Sequence, residues 1–225
     1  MTEPDQRICA MNFQMLTNFD GILLDIDNTL YNYDAAHDIA IDKLALDIVA
    51  DGAINVSVEK FKIDYRQARN SVTATHNGSG ATRSRFLALQ AVFEAYERPA
   101  PYQLARNYEG QYWANLVANM VPNSPLIDLL KRFHKTGRSI CALTDMQARY
   151  QVDKLEGLGM IEFVDFMVSS EEIGCEKPDR RMFEAGLRKL NLSEDKVVMI
   201  GDSKAKDIAG AQAIGIETWQ ITDFI

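Results

Sequence analysis

The chain has 225 residues, 47% of them hydrophobic and 25% charged, a balance that excludes intrinsic disorder, a collagen-like repeat and a disulfide scaffold. Its net charge of −8 gives no global attraction for nucleic acid or anionic lipid, although a local cationic site or a bound metal can still hold a small anion. Three cysteines, Cys9, Cys141 and Cys175, lack the spacing of metal ligands, and their odd number suits reduced thiols and a cytoplasmic location. Residues 1–14 carry Glu3, Asp5 and Arg7 and no long apolar stretch, so neither a secretion signal nor a membrane span is expected there.

In chain order, Gly21–Leu24 is a short continuous apolar run, the pattern of a parallel strand buried on both faces. From Tyr33 to Asn119 nothing reads as a strand. Ile41, Leu44, Ala45, Ile48 and Val49 form one helical stripe, and Phe86, Leu89, Phe93 and Tyr96 form another. Further helices are predicted over Val58–Ala74 and Tyr102–Ala118, with Asn77-Gly78-Ser79-Gly80 as a loop and Pro99 and Pro101 as a break. Behind this insert, strands are predicted at Ser139–Leu143, Phe163–Val168, Val197–Ile200 and Ile216–Trp219. Leu126, Leu129, Leu130 and Phe133 predict a helix with Ser124 as its N-cap and Pro125 at its first position. Phe183, Gly186, Leu187 and Leu190 repeat the same spacing. The alternation predicts an α/β fold with a parallel sheet, built from residues 1–32 and 120–225 and interrupted by a helical domain of residues 33–119.

Four segments carry chemistry. Asp25 and Asp27 follow the first strand, and two carboxylates at the carboxyl end of a buried strand need a cation, a proton or hydrogen-bond donors. That edge of an open parallel sheet is also where ligands bind; the alternative is a solvated turn of Asp and Asn. The second strand ends in Thr144-Asp145, a hydroxyl able to donate to an anion or to cap the next helix. Lys177, in Glu176-Lys177-Pro178-Asp179, is either a point charge reaching the sheet edge or a surface residue. The fourth strand ends in Gly201-Asp202-Ser203, with Asp207 at the start of the next helix. Together they bring carboxylates, a hydroxyl and a lysine to one edge. Oxygen ligands of this kind suit Mg²⁺, and with lysine and hydroxyl they equip a site for phosphoryl transfer.

These segments resemble the motifs of the haloacid-dehalogenase superfamily of phosphohydrolases. Asp25-Ile26-Asp27-Asn28-Thr29 resembles its first motif, Thr144 its second, Lys177 its third and Gly201-Asp202-Ser203 through Asp207 its fourth. The helical insert resembles the C1-type cap of that superfamily. The resemblance implies a three-layer, Rossmann-like core and a Mg²⁺ cofactor. Asp25 would be the nucleophile that forms an aspartyl-phosphate, ionised at the moment of attack, and Asp27 a proton-bearing general acid that later serves as base. Thr144 and Lys177, with Asp145 beside them, would bind the phosphoryl group. Asp25, Asp202 and the backbone carbonyl of Asp27 would hold the metal, with Asp207 in support. Tyr31, His76, Arg83 and Arg85, together with Tyr33 and Arg69, are candidates to read the leaving group. The implied function is hydrolysis of a small phosphate monoester, a nucleoside monophosphate or a sugar phosphate, with no nucleic-acid or membrane partner. The alternatives are a phosphomutase on the same chemistry and a non-catalytic binding protein of the same fold. Two residues depart from the family pattern. Asp145 stands where Asn is common, and Lys206 is open between a surface role and a partner for Asp145.

Overall fold

In the computed structural model, Gly21–Leu24 (β1) hydrogen-bonds in parallel with Ser139–Thr144 (β2) on one side and with Val197–Gly201 (β4) on the other. Phe166–Ser169 (β3) extends the sheet beyond β2, and Glu217–Gln220 (β5) extends it beyond β4, giving the order β3-β2-β1-β4-β5. Residues 13–221 are described; Cys9 and most of the N-terminal stretch considered above lie outside them. Among the described residues no helix is long and apolar enough to cross a membrane.

Burial follows position in the sheet. β1 and β4 are buried throughout, and β2 is buried from Ile140 onward, because neighbours and helices cover them. The outer strands are only partly covered: Phe166 is 40% exposed, and every residue of β5 keeps some exposure. That difference corrects two predicted strands. The run from Phe163 starts with a 3₁₀ turn, Ile161–Phe163, and its strand begins at Phe166. The last strand begins one residue after the buried Ile216. At an edge, register with a single neighbour sets the strand limits more than hydrophobicity does.

Chain contacts separate two units. The first comprises the described residues up to Asn32 and from Val121 onward; the second is Tyr33–Met120. In the first unit, helices Ser124–His134, Ala148–Gly157 and Arg180–Leu190 alternate with the strands. Leu126, Leu129, Leu130 and Phe133 are all buried, as their spacing requires. The cap of that helix is Asn123, whose side chain accepts from the Leu126 amide at 3.4 Å, and Ser124 is already helical. Leu23, Cys141, Phe183 and Met199 belong to the core between sheet and helices.

The second unit is wholly helical. Its four helices, in chain order, are α1 (Tyr33–Ala50), α2 (Val58–Thr75), α3 (Arg85–Ala95) and α4 (Pro101–Ala118). Ser57 and Ser84 cap α2 and α3 through their hydroxyls. Pro101 opens α4 at the position where a missing N–H costs nothing. Ala36, Ala40, Leu44 and Ile48 from α1, Phe61 from α2, Leu89 and Phe93 from α3, and Tyr112 and Leu116 from α4 are buried. The first unit's helices are numbered on from these: α5 (Ser124–His134), α6 (Ala148–Gly157), α7 (Ser170–Ile173), α8 (Arg180–Leu190) and α9 (Ala209–Gln212).

Candidate active site

The strand register brings Leu24, Ala142 and Ile200 level, so the residues that follow them leave the sheet at one carboxyl edge. Asp25 is still tied to the sheet, its amide donating to the Ile200 carbonyl at 2.9 Å. It is 7% exposed, and both its oxygens are engaged. Lys177 Nζ donates to Oδ1 at 2.6 Å, and the Thr29 hydroxyl donates to Oδ2 at 2.8 Å. The same ammonium donates to Asp207 Oδ1 at 2.7 Å. Lys177 is therefore a buried bridge between two carboxylates and not a surface lysine.

Asp207 reaches this bridge because the chain after β4 widens into a single π-helical stretch, Lys204–Ile208, before α9. The turn is held from both ends: Ser203 Oγ accepts from the Lys206 amide at 3.2 Å, and the Ser203 amide donates to Asp207 Oδ2 at 3.0 Å. Gly201 makes the approach possible, because a Cβ there would lie 2.5 Å from Asp207 Oδ2. One carboxylate oxygen from each of Asp25, Asp202 and Asp207 lies within 4.8 Å of the others. This acidic group of three can hold a cation. Asp25 and Asp202 of the expected ligand set stand in it together with Asp207, the expected supporting residue.

Asp27 is turned instead toward α6. Its Oδ1 accepts from Lys154 Nζ at 2.6 Å and from the Tyr31 hydroxyl at 2.6 Å, and its Oδ2 accepts from Gln151 Nε2 at 3.0 Å. Gln151 Nε2 also donates to Thr144 Oγ1 at 2.6 Å, and the Met146 amide donates to the same oxygen at 3.2 Å. With both lone pairs of Thr144 accepting, its own hydrogen is the one left to donate, as an anion-binding hydroxyl requires.

Electrostatics divides the two aspartates. Burial pushes Asp25 up to about 7, with Lys177 pulling down and Asp207 pushing up again. Burial would raise Asp27 too, but the charge and hydrogen bond of Lys154, with Tyr31 and Gln151, outweigh it and hold the carboxyl below its ordinary value. The protein's own groups thus raise Asp25 above the ordinary carboxyl value and hold Asp27 below it. The reason is that Lys154 compensates Asp27 alone, whereas Lys177 is shared between two acids. Asp202 is also raised, by burial and then by Asp207. Three acids facing one lysine leave uncompensated negative charge, and a hard divalent cation with oxygen ligands fits that donor set.

Asp145 does not point its charge at a bare site. Its Oδ2 pairs with Lys206 at 2.6 Å and its Oδ1 accepts from the Lys177 amide at 2.8 Å. Lys206 also reaches Glu176 at 3.0 Å. Asp145 therefore anchors the Lys177 segment, and Lys206 is its partner. Tyr31, a candidate reader of the leaving group, is only 2% exposed and serves Asp27. His76 closes α2, its carbonyl accepting from Ser79 Oγ at 2.8 Å. Arg83 lies in the turn before α3, and Arg85 is buried inside the helical unit.

Gln151 and Lys154 were missed by motif reasoning, yet a signal exists. With Leu155 and the helix's C-cap Leu158 they keep the spacing i, i+3, i+4 and i+7, so two polar side chains stand in an inward stripe, both 0% exposed. A buried lysine and amide on such a stripe need partners, and the first motif supplies them.

Comparison with known proteins agrees with this geometry. A family model described as haloacid dehalogenase-like hydrolase matches residues 19–215. The chain is 32% identical over 201 residues to the ribulose-1,5-bisphosphate 5-phosphatase of Halopiger xanaduensis, covering 88% of this chain and 82% of that one. It is 29% identical over 203 residues to the glyceraldehyde 3-phosphate phosphatase of Methanocaldococcus jannaschii, covering 89% and 84%. Its fold superposes on a 2-haloacid dehalogenase from Pseudomonas syringae with a TM-score of 0.72 at 22% identity, covering 89% and 85% of the two chains. That last likeness is one of fold alone. Four motif segments on one sheet edge, and a family match running through them, make the chain a member of the haloacid dehalogenase-like hydrolases.

Proposed function

We propose that the chain is a Mg²⁺-dependent phosphatase of small phosphate monoesters, sugar phosphates foremost, working through an aspartyl-phosphate. The observation that carries this reading is the Asp25–Lys177–Asp207 bridge beside Asp202 and Thr144 at the carboxyl edge of the sheet. The sugar-phosphate preference rests on the names of the two relatives above.

In this mechanism Asp25, Asp202 and Asp207 are the side chains that would hold the metal, with the Asp27 carbonyl as the further ligand the family resemblance implies. The metal, when bound, neutralises charge on the transferring phosphoryl group and keeps the nucleophile ionised. Lys177 and the Thr144 hydroxyl hold the phosphoryl oxygens. Asp25 attacks phosphorus and forms the acyl phosphate as the ester P–O bond breaks. Asp27 gives a proton to the departing oxygen and then takes one from the water that hydrolyses the intermediate. The cradle of Lys154, Tyr31 and Gln151 fixes its orientation in both steps and weights it toward the carboxylate, the form the second step needs. An acid two residues after the nucleophile suits an alkoxide leaving group, whereas a halide needs none.

The test is phosphate release from sugar phosphates, sugar bisphosphates and nucleoside monophosphates, with Mg²⁺ and with chelator, by wild type and by Asp25→Asn. The expected result is Mg²⁺-dependent turnover reduced at least about 10³-fold in the variant. Folded wild type that releases no phosphate from any of them, or an unimpaired variant, overturns the reading.

A further inference from the structure

The helical unit contains a cavity of about 520 Å³, a volume within the range of small-molecule sites, and none of the phosphoryl-transfer residues lines it. On its wall Arg85 is 3% exposed. Its guanidinium lies 4.4 Å from the ring centre of Tyr112 and 4.6 Å from that of Trp113, and Nη2 donates to the Tyr33 hydroxyl. Among the described residues no carboxylate pairs with it, and its Nε has no hydrogen-bond partner. Burial alone would weaken Arg85's hold on its proton, and the phenols of Tyr112, Tyr33 and Tyr65 around it outweigh that and strengthen it, so the guanidinium is kept as a buried cation.

Further features point the same way. The Tyr65 hydroxyl is buried and unpartnered. Arg69 commits Nη1 to the Ser84 carbonyl at 2.8 Å and keeps its other donors. Its affinity for its proton is lowered by burial and then by Arg85, as two cations drawn close together require. Arg66 and Lys62 also line the cavity, so four basic side chains face two carboxylates, Asp38 and Asp42, on a chain whose net charge is −8. Lys62 is already paired with Asp42. His37 adds no charge at neutral pH, because burial, then Arg85, bring it down to about 4.

From this juxtaposition we propose that the cavity binds a small oxyanion, a phosphate or carboxylate group, between Arg69 and Arg85, with the Tyr65 hydroxyl as a further donor. Planar guanidinium forks match both groups. The site goes beyond the catalytic reading and stands on the helical unit's residues alone. The anion has two sources, a second acidic group carried by the substrate or a free anion.

The experiment is an NMR titration of the full chain, labelled at backbone amides and arginine Nε, with inorganic phosphate. Saturable shifts are expected at Arg69, Arg85 and the amides of α2. Affinity should fall about tenfold in Arg69→Gln, the loss of one charge-assisted hydrogen bond. Tyr65→Phe, which removes one oxygen, should weaken it too and covers the case in which the arginine variant fails to fold. Signals of Asp25 and Lys177 report the phosphoryl site separately, so the two readings fail independently. Helical-unit signals that do not move in wild type, or that move with unchanged affinity in both variants, overturn the proposal. Kinetics then separate the sources. A KM about tenfold higher in Arg69→Gln for a sugar bisphosphate, but not for 4-nitrophenyl phosphate, assigns the anion to the substrate. A response of both substrates to added sulfate in wild type, absent in Arg69→Gln, assigns it to a free anion.

Discussion

Gln151 shares one amide nitrogen between Asp27 and Thr144, so a single side chain sets the relative position of the proposed acid and of a phosphate-binding hydroxyl. Lys154 completes the arrangement from the next turn of the same helix, with its charge buried against Asp27. A lysine buried in this way is stable only because its counter-ion is 2.6 Å away. Gln151→Leu keeps the volume and removes the amide. Turnover of an alkyl phosphate, whose leaving oxygen needs a well-placed acid, should fall about 10- to 100-fold. Turnover of 4-nitrophenyl phosphate, with its better leaving group, should fall much less. Equal losses on both substrates would make Gln151 a packing residue only.

Among the elements, the segment after β4 bears the tightest constraint. Lys177 can bridge Asp25 and Asp207 only while Asp207 folds back over Gly201. Gly201→Ala places a methyl 2.5 Å from the Asp207 carboxylate and must displace it. The expected cost is about 1–3 kcal/mol in urea unfolding, the usual price of overpacking, together with loss of Mg²⁺-dependent turnover. An alanine variant of unchanged stability and activity would show that the turn can yield. Element boundaries also explain the misplaced helix cap. Asn123 and Ser124 are both good capping residues, and Pro125 is tolerated at either of the first two helical positions. Local sequence therefore left two starts for α5. The Asn123 amide donates to the Leu30 carbonyl at 2.8 Å, a long-range contact that selects the earlier start.

For the molecule as a whole, acid sensitivity has a component in the helical unit. His37 sits partly buried against Tyr33 and Tyr112, and its folded value of about 4 lies below the ordinary 6.5 of the unfolded chain. Above pH 6.5 both states hold it neutral, and its contribution to stability is complete. As the pH falls toward 4 the unfolded chain takes up the proton first, so that contribution is lost across the interval. The Tm of wild type should therefore drop more between pH 6.5 and 4 than the Tm of His37→Gln, and parallel curves would remove His37 from the account. What the amino-acid sequence determined by itself was the α/β alternation, the helical character of the stretch after the first strand, and the residues at the sheet edge. Each of these is carried by local period or by a polar group placed where an apolar run stops. Tertiary structure alone decided which acids share Lys177, that Asp145 turns to Lys206, and that Tyr31 and α6 serve Asp27. It alone placed Arg85 inside the helical unit. Those are matters of which partner satisfies a buried charge, and the partner is 152 residues away for Asp25 and 127 for Asp27, beyond the reach of any local pattern.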